Sequence, residues 1–173
     1  MPKTVPNLHF MKTLLDLDLN SIAQYEKWES ANKNNWDITS YLNKNYDMNA
    51  AVAFSKLFFP DFLEIDGCVL LAFRYVENTY KQWKSKFGDD LSTIERHCNL
   101  YDVQDYFHIN TDIRADSQFL SSVEQFSKAL KVAWEANCKL LFPDRKITVD
   151  VFESFGIKQI TLYTERVLNT VAL

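Results

Sequence analysis

Between Cys68 and Phe87 the apolar residues Val69, Phe73, Val76, Tyr80, Trp83 and Phe87 recur in alternating steps of four and three. That spacing puts them on one face of a helix, with Arg74, Glu77, Asn78, Lys81, Lys84 and Ser85 on the other. A second long helix is predicted from about Ser117 to Leu141. Its apolar side is Leu120, Val123, Phe126 (or Ala129), Leu130, Ala133, Trp134 and Leu140, and Asp116 can cap its first turn. Shorter helices are predicted at 7–17, 21–31, 38–44 and 48–59. Ser21 with Gln24 resembles a capping box, and Asp37 and Asp47 stand where N-caps belong. After Pro143 the period changes to two. Ile147, Val149 and Val151 alternate with Thr148, Asp150 and Phe152, and Ile160 and Leu162 with Thr161 and Tyr163. These read as two strands joined across Glu153–Lys158, with Gly156 in the turn. A lone hairpin is marginal in water, so it should pack on the helices.

The chain has only three glycines, which favours helices with short connections. Gly67 completes an Asp-Gly turn, and Gly88 suits the left-handed position past a helix end. The pattern predicts an α+β fold, predominantly α-helical: a helical bundle with a C-terminal antiparallel β-hairpin packed on it. A single domain, 1–173, would comprise N-terminal helices (1–47), a helical core (48–142) and the hairpin (146–164).

One phrase occurs twice. Residues 56–61 read KLFFPD and residues 139–144 read KLLFPD. Each fits a helix end: lysine in the last turn favours the negative end of the dipole, apolar residues anchor, and proline stops the helix. Upstream the copies share nothing. Downstream, FLEIDG is expected to enter a helix and RKITVDV a strand. The phrase therefore reads as a reused helix stop rather than a duplication.

Composition narrows the class. At 173 residues, with 47% apolar, 24% charged and 14% aromatic residues, the chain can build a core and is not a disordered segment. No apolar run is long enough to span a bilayer, and the N-terminus does not read as a signal peptide. Cys68, Cys98 and Cys138 are odd in number and without CxxC spacing. A disulfide framework or zinc site is not expected, and a cytoplasmic location is. Neither a cofactor, a metal, a membrane nor a small-molecule substrate is expected.

The net charge of −4 is unevenly spread: seven acids and two arginines between Asp89 and Asp116 give −5, and the rest sums to +1. Nucleic-acid binders need basic patches, so nucleic acid is not the expected partner; a basic protein surface is. No phosphate loop, HExxH or GxSxG occurs, and no catalytic residue is assigned. Glu95, His97 and His108 with Asp102, Asp105 or Asp112 form the one cluster that a metal enzyme or hydrolase could use, and it otherwise reads as a solvated acidic surface. His97 and Cys98 are adjacent and do not form a base–nucleophile pair. The segment 89–116 interleaves its acids with Tyr101, Tyr106 and Phe107, as a protein-binding surface does. On sequence alone the stronger reading is a solvated acidic loop whose aromatics belong to the core.

FFPDFLEIDGCVLLAF (58–73), the helix carrying Tyr80, Trp83 and Phe87, IERHCN (94–99), FPDRKITVDVF (142–152) and QITLY (159–163) resemble small bacterial immunity proteins of polymorphic toxin systems, of which contact-dependent growth inhibition is the best known. The resemblance covers about residues 50 to 165. It implies a cytosolic antitoxin, not an enzyme, that binds and neutralises the C-terminal toxin domain of a cognate effector. Such toxins include nucleases with basic surfaces. On that reading Asp102, Asp105 and Asp112 are the expected steering charges and Tyr101 and Tyr106 the anchors. A helical adaptor without a toxin partner is the alternative.

Overall fold

A computed structural model describes residues 13–22, 24–34, 37–107 and 117–166. In chain order the elements are α1 (Tyr25–Ala31), α2 (Ile38–Asn45), α3 (Met48–Phe58), β1 (Phe62–Ile65), β2 (Cys68–Leu71), α4 (Glu77–Phe87), α5 (Leu91–Cys98), β3 (Tyr101–Asp102), α6 (Ser117–Leu141), β4 (Ile147–Ser154) and β5 (Ile157–Thr164). The strands form two antiparallel sheets, β1–β2 and β3–β5–β4. The fold is α+β and helix-dominated, with the C-terminal hairpin lying against α6.

Local chemistry explains several boundaries. Asp37 and Asp47 cap α2 and α3, their carboxylates accepting from the amides of Ser40 and Ala50 at 2.8 Å. Gly88 follows α4 at φ +59°. Both copies of the repeated phrase end a helix: α3 stops at Phe58 ahead of Pro60, and α6 at Leu141 ahead of Pro143. A proline stop leaves last-turn carbonyls without helical donors. At the first copy α6 supplies donors to the last turn and to the proline just past it. Trp134 Nε1 donates to the Leu57 carbonyl at 2.8 Å and Asn137 Nδ2 to that of Pro60 at 3.2 Å.

Four expectations need correction. The helix predicted from 68 begins only at Glu77. Cys68–Leu71 is a strand, paired with Phe62–Ile65 in register Ile65↔Cys68. A run of consecutive apolar residues has no period that separates strand from helix, and the Asp-Gly turn before it decides for a hairpin. FLEIDG therefore enters a strand, as RKITVDV does. Ser21 and Gln24 form no capping box: the Ser21 hydroxyl donates to the Asp18 carbonyl at 2.7 Å, and Gln24 stands at φ +66° with no side-chain cap bond. Residues 13–17 are not helical; the remainder of the predicted 7–17 helix and the Asp116 cap lie outside the described residues.

Strand β2 is buried on both faces, and its alternation divides the core. Val69 and Leu71 join Leu130, Trp134, Val149, Ile160 and Leu162 beneath α6. Cys68 and Leu70 face Tyr80, Ile94 and Cys98 of α4 and α5. Helix α5 also joins the two sheets. Glu95 Oε1 accepts from the Val69 amide at 2.7 Å, and Glu95 Oε2 from the Thr164 amide at 2.6 Å. One turn on, Asn99 accepts from the Leu71 amide and donates to the carbonyls of Val69 and Leu162. Backbone groups on the facing edges of β2 and β5 thus bond to two side chains where a further strand would otherwise lie. Arg166, just past β5, closes a bidentate pair on Glu95 at 2.9 Å.

Candidate partner-binding surface

Helices α2 and α3 meet at Tyr46-Asp47, where α2 ends and the Asp47 carboxylate starts α3. The two helices and the middle of α6 bound a cleft of about 830 Å³. Its floor is Phe58, Phe126 and Tyr41; its rim is Leu42, Tyr46, Met48 and Phe107. The rings form an edge-to-face chain. Tyr41 meets Tyr46 at 6.4 Å between centroids, Tyr46 meets Phe54 at 6.0 Å, Phe54 meets Phe107 at 6.1 Å, and Phe107 meets Phe126 at 5.6 Å. Such pairs hold rings in fixed orientations. Met48 is nonetheless 78% exposed and Tyr46 47%. Polar lining comes from Asn43 and Asp47.

The segment 89–116 contributes to this cleft through Phe107 alone among its described residues. Its other members have separate places. Asp90 caps α5, accepting from the Thr93 amide and hydroxyl, and these bonds hold its carboxyl below the ordinary range. Glu95 is wholly buried in the joint between the sheets, which overturns the solvated reading for that residue. Tyr101 and Asp102 are neighbours in β3 and point to opposite faces. Tyr101 turns inward, half-buried against Phe73 at 5.5 Å and Tyr106 at 4.6 Å, with the Arg74 guanidinium 5.2 Å over its ring. Burial raises its phenol pKa. Tyr106 packs on Phe126, and its buried hydroxyl has no hydrogen-bond partner among the described residues. Burial pushes that phenol strongly up. Asp102 faces the other way and accepts from Gln159 Nε2 at 2.7 Å. Asp105 is exposed two residues before Phe107. Asp112 and His108 lie outside the described residues. The four described residues thus do not form one patch: the tyrosines brace the cleft from below, and Asp102 belongs to the outer face of the hairpin sheet.

The Glu95–His97 pairing imagined for a metal or hydrolytic site does not form. Two positions apart on a helix, the side chains do not face each other. Glu95 enters the joint, while His97 stacks against both α4 rings, 4.3 Å from Trp83 and 5.2 Å from Phe87, which are 5.6 Å from each other. Burial, then Lys86 and Arg96, lower the His97 pKa below its ordinary 6.5. Among the described residues no three His, Cys, Asp or Glu side chains could hold a metal ion. Cys68, Cys98 and Cys138 are free and buried. No helix among the described residues is long and apolar enough to cross a membrane. Sequence reasoning missed the cleft because it treated α2 and α3 separately. The available signal was the exposed Met48 and Tyr46 flanking the Asp47 cap, apolar side chains at a helix start where nothing nearby in sequence covers them.

The chain matches no protein-family model, no curated protein and no solved structure.

Proposed function

We propose that this chain is a cytosolic immunity protein that neutralises the toxic domain of a cognate bacterial effector by direct binding. The observation that carries the reading is the ring-lined cleft with exposed Met48, Tyr46, Leu42 and Phe107 at its rim. Rigid aromatics around a concave apolar surface are the material of interface hot spots. Asp105 near Phe107, and Asp47 in the wall, supply negative charge beside that surface, which suits a partner with a basic face such as a nuclease toxin. Asp102, on the outer sheet face, steers the same basic partner at longer range.

The test pairs the chain with the product of the gene immediately upstream of its own, where a cognate toxin is expected. Co-expression should restore growth, and the purified proteins should form a stoichiometric complex with salt-sensitive association. Met48→Lys should speed dissociation. Asp102→Lys, Asp105→Lys and Asp112→Lys together should slow association, since repulsion replaces attraction within a Debye length of about 8 Å. If neither variant changes binding or cell protection, the cleft and its acids are not the contact. An upstream product that never binds favours the adaptor reading.

A further inference from the structure

The hairpin sheet has the order β3–β5–β4, so β4 is an edge strand. Which of its backbone groups point outward follows from the bonds on the far side of β5. The Thr164 amide donates to Glu95 and the Leu162 carbonyl accepts from Asn99, so the even residues of β5 turn their backbone toward α5 and the odd ones toward β4. Register pairs those odd residues with even residues of β4, Gln159 with Phe152 and Thr161 with Asp150. The odd residues of β4, from Ile147 to Glu153, therefore direct their amides and carbonyls away from the sheet. In the half nearer α6's C-terminus this edge is covered: Val149 is buried, and Lys131 of α6 donates to its carbonyl at 2.6 Å. In the other half it is open. Val151 is half-buried and Glu153 exposed, and no hydrogen bond from the described residues reaches either backbone on that side. Just beyond them the turn at Phe155-Gly156 carries Phe155 fully into solvent. Two amides and two carbonyls thus stand at strand spacing without partners.

We propose that a second copy of this chain covers this edge, its β4 pairing antiparallel with β4 about a two-fold axis at Phe152. Alternating donors and acceptors at this spacing are the template for an extended strand, and the edge is its own complement. With Phe152 opposite Phe152 of the second copy, Val151 stands opposite Glu153, and each such pair exchanges two bonds. The symmetry makes the pair twice, so the four open groups of each chain are all used and the covered Val149 carbonyl is not needed. Phe152 is exposed on the outer face, and its two copies meet at the close, non-hydrogen-bonded position, where aromatic pairs stabilise a sheet. Glu153 lies on the α6 face, like Val149. Its cross-strand neighbour Lys158 pairs with Glu124 instead, and Glu153 has no ion pair among the described residues. Opposite Val151 it comes beside Lys131 of the second copy, whose ammonium sits at the Val149 carbonyl two residues along and holds Glu135 only at 3.3 Å. The free acid of one edge thus meets the cation that flanks the other. The contact is short, so association is weak and rises with concentration. It uses no residue of the α2–α3–α6 cleft and needs no toxin, so it stands apart from the proposed function.

Sedimentation equilibrium of the full chain over a rising concentration series is the experiment, with amide hydrogen exchange at each concentration. The wild-type mass should climb from 20.3 kDa toward twice that value, and the Val151 and Glu153 amides should exchange more slowly as it does. Glu153→Pro removes an outward donor without touching the β4–β5 ladder, as an edge strand allows. It should melt near wild type and stay monomeric where wild type dimerises. Glu153→Lys and Lys131→Glu keep the backbone intact and decide independently of the proline. Each alone should associate about tenfold more weakly, since two repulsions replace two exposed ion pairs. The two together restore opposite charges across the axis and should associate more strongly than either alone. A wild type that stays monomeric at every concentration overturns the proposal. So does a dimer whose Val151 and Glu153 amides exchange as in the monomer, and so does a folded Glu153→Pro chain that associates like wild type. A charge swap no stronger than its single variants overturns the pairing about Phe152.

Discussion

Residues 48–71 and 117–164 are built alike: a helix, a proline two residues past its last turn, a strand, an X-Gly turn and a returning strand. Asp66-Gly67 at φ +49° and +83° and Phe155-Gly156 at φ +52° and +77° have nearly the same backbone. Their surroundings differ. The first turn is roofed. Asp66 accepts from the Tyr80 hydroxyl at 2.9 Å, Arg166 donates to the Gly67 carbonyl at 2.8 Å, and a Cβ at Gly67 would stand 3.3 Å from Leu91 Cδ1. The second turn stands in solvent, with nothing within 4 Å of a Cβ at Gly156. The two hairpins also touch at their roots, where Phe62 meets Phe142 at 5.7 Å and Arg145 pairs with Glu64. One local construction thus serves once as buried framework and once as an exposed projection. The sequence of the turn selects its shape, and the helices packed over it select its use.

The largest effect should come from the joint that fixes the buried hairpin. Arg166→Ala leaves the Glu95 carboxylate buried without its guanidinium, and removing one partner of such a pair costs about 3 kcal/mol or more. Urea unfolding should show the loss, and Glu95→Gln in the same background should recover part of it. Hydrogen exchange should speed at the amides of Val69 and Leu71 and stay unchanged in the turn at Phe155-Gly156. Equal exchange at both sites would show that the two hairpins open as one unit.

Next in size are the glycines. Gly156→Ala should cost about 1–2 kcal/mol, the penalty of left-handed backbone for an L-residue. Gly67→Ala should cost more, since Leu91 must also move. Equal losses in thermal melts would mean that the roof over the first turn is soft.

Phe155→Asn should stabilise the fold by about 0.5–1 kcal/mol by placing a left-handed-tolerant residue in the open turn. Asp66→Asn keeps the backbone preference but replaces the charged acceptor of the Tyr80 hydroxyl, so it should not stabilise. A gain at both sites would remove the distinction between them.

The smallest effect concerns the roof itself. His97 has a lowered pKa in the fold, so near its ordinary value of 6.5 the unfolded chain binds more protons than the native one. Stability then rises with pH through that region and falls as the solution is acidified below it. His97→Phe should flatten this part of the pH profile and leave the slope from other groups. An unchanged profile would place the titration elsewhere.

Much of this was legible in the chain. The limits of α6, the caps at Asp37 and Asp47, both proline stops and both X-Gly turns follow from spacing and from the chemistry of single residues, which act within a turn or two of backbone. The first hairpin was misread because Cys68–Leu71 is apolar at every position. It must be, since Val69 and Leu71 face α6 while Cys68 and Leu70 face α4 and α5, and a strand buried on both sides loses the alternation that would identify it. The acids of 89–116 were legible as charge but not as surface. Asp90 caps α5 and Glu95 is buried in the joint, while Asp102 keeps its charge on the outer sheet face beside Gln159.

By itself, then, the sequence determined where helices stop, which turns are left-handed and that the fold would be mostly helical, because those outcomes depend on neighbours three or four positions away. Only the tertiary structure decided that Glu95 is buried while Phe155 is exposed. Glu95 is matched by partners 26, 69 and 71 residues distant, which together supply enough hydrogen bonds to take a carboxylate out of water. Phe155 has no such partners within reach of its turn, and its ring stays in solvent.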